Sequence, residues 1–466
     1  MASKIIFPIT RVHEPLKVEV EIKGNQVVDA RVGGILFRGF ELMLIGRDPR
    51  DTALFTQRIC GICSGAHAIA ATMAQQQAFA VQPTRNGQHL QNLIFASDII
   101  QNHLRHFYGL ALLDYVRGPN MPPFTPRPNG DYRLPQKVNN ELVAHLQEGL
   151  VKAAEAHELM AIFGAKAPHQ QTILPTGVTE RADVPSLMAF RSLLVRIREW
   201  VERYMVEDVL TIAHYYPDYY EIGAGYGNFI SYGMFVNPTT GKREFQDGVI
   251  IGRGPLQPLD TTGITETVHY SWYEDDEPHR PPSEGITVPN VDKADAYTWI
   301  KAPRYKGLPV EGGPLARAWI SGGYRRGVSV MDRLIARVQE TEKICRLAEK
   351  WLEEIVAYGP SYEPFTVPAF GEGVGLTDAM RGPLGHWLKI KDGKISHYQI
   401  VTPTTWNFSP RDEQGKRGPV EEALIGTPVA DQENLIEVGR VIRSFDPCFT
   451  CAVHTIDAPA AKPVVL

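Results

Sequence analysis

All but one of this chain's five cysteines fall in two Cys-x-x-Cys pairs: Cys60-Gly61-Ile62-Cys63 near its start and Cys448-Phe449-Thr450-Cys451 near its end. That spacing presents two thiolates to one metal ion. A pair at each end constrains the fold to bring both ends of the chain together around a metal centre. Each pair is followed by a histidine, His67 and His454, and preceded by a charged residue, Arg58 and Asp446. Five cysteines in 466 residues make no disulfide framework, and such pairs in a large protein point to metal or redox chemistry. Cys345, alone in a helical stretch, reads as a small buried hydrophobe.

Spacing alone leaves the metal open. Four thiolates suit structural zinc, an iron–sulfur centre or rubredoxin-like iron. Zinc knuckles are local modules, however, and here nearly the whole chain separates the pairs. Arg58 and Asp446 are also more than a stapling ion requires. A dithiol redox pair would sit in a βαβ context, which long helical patterns and hairpins do not supply. The formal net charge of −5 gives no basic face for nucleic acid. No apolar run approaches the ~20 residues that cross a bilayer, and residues 1–10 lack the pattern of a secretory signal.

Residues 17–33 read as a β-hairpin. Lys17-Val18-Glu19-Val20-Glu21-Ile22 alternates, Gly24-Asn25 makes the turn, and 26–32 returns. Ser64 is a candidate N-cap for a helix over about 66–80, which would set both thiols near a helix N-terminus, where the dipole favours thiolate. Long helical patterns follow over 86–117, 138–164, 185–215 and 327–358; Leu193, Ile197, Trp200, Val201 and Met205 show the recurrence at three- and four-residue steps. They predict a central bundle. The Gly-, Pro- and aromatic-rich stretch 235–325 reads as short strands and loops. A second hairpin runs Trp387-Leu388-Lys389-Ile390, turns at Asp392-Gly393 and returns over 395–401. A last helix over 431–444 delivers Asp446-Pro447-Cys448, with Pro447 ending regular structure. No repeat or low-complexity linker interrupts the chain. The expected fold is α+β, mainly α, one domain over 1–466: a central bundle of long helices with peripheral β-hairpins and small sheets.

Arg58-Ile59-Cys60-Gly61-Ile62-Cys63, with His67 beyond it, resembles the N-terminal signature of the large subunit of nickel–iron hydrogenases. Asp446-Pro447-Cys448-Phe449-Thr450-Cys451-Ala452-Val453-His454 resembles its C-terminal signature. Colinear matches include Phe37-Arg38-Gly39-Phe40-Glu41, Asp48-Pro49-Arg50-Asp51, His106-Phe107-Tyr108 and Lys301-Ala302-Pro303-Arg304-Tyr305. Trp406-Asn407, followed by Pro410-Arg411-Asp412, continues the series. The pattern is most similar to the respiratory, uptake-type enzymes and their selenium-containing relatives, with Cys448 standing where those carry selenocysteine.

The resemblance implies the nickel–iron hydrogenase large-subunit fold and a catalytic subunit that cleaves H2 reversibly to protons and electrons. By it, Cys60, Cys63, Cys448 and Cys451 all bind nickel, and Cys63 and Cys451 also bridge to an iron carrying carbon monoxide and cyanide. Soft thiolates suit a redox-active metal, and a terminal thiolate can take the proton. Arg381 matches the family arginine above the metals; its permanent charge in a dry pocket can hydrogen-bond cyanide and polarise substrate. Asp446 would pair with it. Glu41, His454 and the main-chain oxygen of Ile400 match the ligands of a second site, for Mg2+ or Fe2+, of structural character. His67 and His106 are expected beside the centre without ligating it.

Where the family reads Arg-x-Glu-Gly-His, this chain reads Arg11-Val12-His13-Glu14-Pro15-Leu16. In register His13 replaces the proton-accepting glutamate; after a one-residue slip Glu14 does. Imidazole titrates near neutral pH and can relay protons. Asn102 stands at a family aspartate and Met380 at a proline. No further cysteine pair remains for an iron–sulfur cluster, so electrons must leave through a partner, which the resemblance implies is an iron–sulfur small subunit in a heterodimer. Residues 455–466 match a tail cut off by a maturation protease once nickel-insertion factors have acted. In respiratory relatives the small subunit carries the export signal, which implies a periplasmic protein attached to the membrane through its partner, with the cytoplasm as the alternative. Two other classes compete: a non-catalytic relative like that of respiratory complex I, which has lost the nickel cysteines, and a zinc-stapled scaffold.

Overall fold

The first hairpin forms where the alternation sets it. Strands Leu16–Lys23 and Gln26–Gly34 pair antiparallel, and the first of them buries every second residue over most of its length. Gly24 and Asn25 have φ of 61° and 58°, the left-handed pair that a tight two-residue hairpin turn requires. A strand the sequence reading did not foresee, Ala2–Ile6, adds to the outer edge of Leu16–Lys23. The computed structural model describes residues 2–119, 121–122, 130–275 and 279–452, with backbone alone for Ala2, Cys451 and Ala452. His454 and the tail 455–466 lie outside the described residues.

The second hairpin is also present, Gly382–Lys391 with Lys394–Val401, turning at Asp392 and Gly393 with φ of 53° and 71°. It gains an unforeseen third strand, Gly371–Ala379. That strand opens Gly371-Glu372-Gly373-Val374-Gly375, and the glycines face the helix Ser64–Phe79. A Cβ on Gly371, Gly373 or Gly375 would meet the carbonyl oxygens of Ala78, Ala74 and Ala70 at 2.5, 2.0 and 1.9 Å. Strand and helix backbones thus touch along an alanine stripe at four-residue steps, which only glycine permits. This contact bolts the first cysteine pair's helix to the sheet that carries Arg381.

The long helices are Arg85–Leu104, Gln136–Gly164, Val184–Trp200 and Val330–Glu354. Thr84, Asp183 and Ser329 cap three of them by accepting from Gly87, Ser186 and Asp332 N–H groups. Arg85–Leu104 packs on Gln136–Gly164 and Val330–Glu354, and Val184–Trp200 packs on the same two, giving the expected bundle. Two of the anticipated helices are broken by π-helical turns, Arg105–Ala111 and Val201–Met205. The last helix starts at Ile436, not 431, because Leu435 is left-handed at φ 46°. The 235–325 stretch holds paired short strands, with the helix Pro314–Ser321 as an unforeseen addition. Among the described residues no helix is long and apolar enough to cross a membrane.

Candidate metal centre

Cys63 occupies the N-cap position of the helix Ser64–Phe79, which corrects the assignment of Ser64 to that role. Ser64 Oγ instead accepts from His169 N and Gln170 Nε2 at 3.1 and 3.3 Å. The cap comes from a neighbouring helix: Asp98 Oδ2 accepts from Gly65 N at 2.9 Å and Ala66 N at 3.3 Å. Burial pushes the Asp98 carboxyl up to about 7. Nothing local in the sequence reveals this acceptor from 33 positions away.

The second pair arrives by a different route. The helix Ile436–Ser444 ends with Phe445 as its C-cap, ahead of Pro447, and the chain turns at Asp446, left-handed at φ 56°. Cys448 N donates to Thr404 Oγ1 at 3.1 Å. Arg38 then ties both loops, its Nη2 donating to the carbonyl oxygens of Ile59 and Thr450. The outcome is that Cys60, Cys63 and Cys448, all buried, hold their sulfur atoms within 4.8 Å of one another. Cys60 Sγ and Cys448 Sγ are 3.3 Å apart. Cys451 sits by its backbone in the short helix Phe449–Ala452; its side chain is outside the description. Cys345 is buried elsewhere and burial pushes its thiol well up.

Arg381, at the turn between Gly371–Ala379 and Gly382–Lys391, overhangs the thiols. Its Nη2 donates to Asn102 Oδ1 at 2.6 Å, and its Nε lies 3.3 Å from Asp446 Oδ2. Asn102 Nδ2 donates to the same carboxylate oxygen at 2.8 Å, and Arg337 Nη1 stands 3.2 Å from it. Burial alone would raise the Asp446 carboxyl; the charges of Arg381 and Arg337 outweigh it and hold Asp446 far below the ordinary range. Burial works against the Arg381 cation, but Asp446 and the nearby thiols keep it charged. Arg381 Nε and Nη1 have no hydrogen-bond partner among the described residues. Beside them a small pocket is lined by Cys63, His67, Met380, Arg381, Leu384 and Thr404.

Two histidine arrangements flank the thiols. His67 Nδ1 lies 3.2 Å from His386 Nε2, and His386 Nδ1 lies 2.8 Å from the Tyr398 hydroxyl. His106 Nε2 donates to Arg443 O at 2.6 Å. Burial depresses both, His67 to about 4 and His106 to about 3. His13 pairs by its backbone with the second cysteine loop, and its Nε2 lies 3.9 Å from Asp446 Oδ1. Burial, then the Arg381 charge, lowers it to about 4. Glu14 is exposed and left-handed at φ 76°. Glu41 lies apart from the thiols: its Oε1 accepts from Ile400 N at 3.0 Å, its Oε2 from Thr287 Oγ1, and Lys301 Nζ is 3.8 Å away. The described contact of Ile400 with Glu41 thus runs through its N–H.

Clustered thiols beside an arginine whose Nη1 has no acceptor among the described residues suit a thiophilic metal carrying ligands that accept hydrogen bonds. A closed zinc staple would leave that donor unexplained. The comparisons agree with this chemistry. The chain matches the family described as nickel-dependent hydrogenase over residues 38–122 and 118–454. It is 40% identical over 502 residues to the periplasmic [NiFeSe] hydrogenase large subunit of Desulfomicrobium baculatum, covering 99% of this chain and 96% of that one. It is 31% identical to the hydrogenase-2 large chain of Escherichia coli (strain K12), covering 100% and 99%. The Ni-Fe-Se hydrogenase of D. vulgaris Hildenborough in the reduced state superposes at a TM-score of 0.94, with 40% identity, covering 97% of this chain and 100% of that chain. This chain belongs to the nickel-dependent hydrogenase family. It is a large, catalytic subunit, an oxidoreductase acting on H2, whose family implies a nickel–iron centre and a small-subunit partner.

Proposed function

We propose that Cys60, Cys63, Cys448 and Cys451 together hold the nickel–iron centre, with carbon monoxide and cyanide on the iron. One observation carries this reading: thiols from opposite ends of the chain converge beside Arg381, whose Nη1 is a buried donor without an acceptor among the described residues. Cys60 and Cys448 would be terminal on nickel, and Cys63 and Cys451 would also hold the iron. When bound, the centre supplies the heterolytic polarisation of H2 that no side chain can provide. Cys448 Sγ takes the proton as a terminal thiolate, and His13, paired by backbone with this loop, carries it onward in preference to the exposed Glu14. Arg381 donates to cyanide through its open Nη1, while Asp446, held by Asn102 and Arg337, fixes its pose.

Glu41, the Ile400 main chain and His454 form the second site, for Mg2+ or Fe2+, a structural tie between the N-terminal region and the chain's end. Electrons leave to iron–sulfur clusters of the small subunit. The periplasmic location of the Desulfomicrobium baculatum relative supports the periplasm, with membrane attachment only through the partner. Residues 455–466 act as a maturation peptide, removed by a protease after nickel insertion, and the rest works as one domain.

The test is metal analysis of the mature protein together with infrared spectroscopy. Nickel and iron in one sample, with carbon monoxide and cyanide bands, are expected. Zinc in place of nickel, or a nickel-replete mature sample lacking those bands, contradicts the reading. His13→Gln is expected to slow H2 oxidation more than isotope exchange, and Glu14→Gln to change neither.

A further inference from the structure

A buried ion cluster lies between the N-terminal segment and the helix that leads to Cys448. Asp114, at the end of the helical run that starts at Arg85, is 1% exposed. Its Oδ1 accepts from Arg11 Nη2 at 2.5 Å and Arg443 Nη2 at 2.7 Å, and its Oδ2 from Arg443 Nε at 2.6 Å. Both arginines also reach main-chain oxygens, Arg11 Nη1 that of Leu110 at 2.8 Å and Arg443 Nη1 that of Thr10 at 3.0 Å. A fork-to-fork arginine–carboxylate contact fixes orientation as well as distance.

Both chain segments that meet at Cys448 hang on this carboxylate. Two residues past Arg11, His13 N donates to Pro447 O at 3.3 Å, and Phe449 N donates to His13 O at 3.0 Å. Arg443 belongs to the helix Ile436–Ser444, which runs directly into Asp446 and Cys448. The intervening segment is conformationally disfavoured: Arg11 and Glu14, neither of them glycine, have φ of 58° and 76° on either side of His13. Such a bend holds its shape only where outside contacts over-determine it. Burial would raise the Asp114 carboxyl, but the Arg443 and Arg11 charges hold it below its ordinary value, so the clamp stays ionised at neutral pH.

Resting on the reading of His13 as the first proton carrier, we propose that Asp114 is a positioning residue which, through Arg11 and Arg443, sets the register of His13 against Cys448. The role is mechanical. Asp114 touches no reacting atom, and its effect on proton transfer passes through His13.

Arg11→Gln is the discriminating variant, because it releases the N-terminal arm and leaves Asp114 paired with Arg443. In the nickel-loaded enzyme with its small subunit, hydrogen–deuterium exchange over 9–16 is expected to rise about tenfold, with exchange over 436–444 and nickel content unchanged. Arg11→Lys, which keeps a donor toward Asp114, recovers the protection. H2 oxidation falls about tenfold in Arg11→Gln, and the double variant with His13→Gln is no slower than His13→Gln alone. Unchanged exchange over 9–16, or losses that multiply in the double variant, would overturn the positioning role. Wild-type oxidation in His13→Gln alone overturns the underlying reading of His13, a failure that the exchange data keep separate from failure of the clamp.

Discussion

Cys60 and Cys448 stand 388 positions apart in the chain and 3.3 Å apart at sulfur. With Cys63 beside them, two buried sulfur atoms at that range make a preformed cluster of the ligand type that soft metals take. Cys60→Ser and Cys448→Ser are each expected to lower nickel retention sharply and to abolish H2 oxidation. Cys345→Ser, at a buried thiol far from the cluster, should retain both. Elemental analysis of the purified variants checks this.

Arg381 uses its Nη2 on Asn102 and lines the pocket, and its Nη1 has no hydrogen-bond partner among the described residues. Lysine carries the charge but is a single point without the fork. Arg381→Lys is therefore expected to keep nickel and iron while lowering kcat about 10²- to 10³-fold, the usual effect of losing one aimed donor. Steady-state H2 oxidation beside metal analysis reads the two effects apart.

The Asp98 cap gives a pH signature. Its carboxyl is pushed up to about 7 in the folded chain, mainly by burial, so the folded state binds a proton that the unfolded state has released. The contribution of Asp98 to stability is therefore fully present below the ordinary carboxylate range and declines as pH rises to about 7, then levels off. The decline is at most about 1.4 kcal/mol per pH unit. Asp98→Asn should flatten this component: measured by denaturant unfolding of the metal-free chain, wild type loses stability relative to the variant between pH 4 and 7. A pH-independent difference would contradict the assignment.

Much of this could be read from the sequence, and the parts that could not have physical causes. The two hairpins announced themselves through alternation and through Gly24-Asn25 and Asp392-Gly393. The strand Gly371–Ala379 did not, because glycine is a poor strand former until a helix backbone presses against it, and the matching alanine stripe lies about 300 residues earlier in the chain. The Asp98 cap was invisible because capping rules look for a local side chain. Arg333, Arg337 and Glu340 carried a legible signal: they fall at helical spacing on the buried face of Val330–Glu354, where charges need partners. Arg337 finds Asp446, and Glu340 finds Arg317 and His103. The cysteine pairs were legible as a shared site, but Arg38 as their clasp was not, since it acts through main-chain oxygens.

The central claim is that sulfurs from both ends of the chain bind one nickel. X-ray absorption at the nickel edge of the mature enzyme tests it most directly. The account predicts a first shell dominated by sulfur that loses one scatterer in any sample of Cys60→Ser or Cys448→Ser still holding nickel. A nitrogen- and oxygen-dominated shell, or a sulfur shell indifferent to both substitutions, would contradict it.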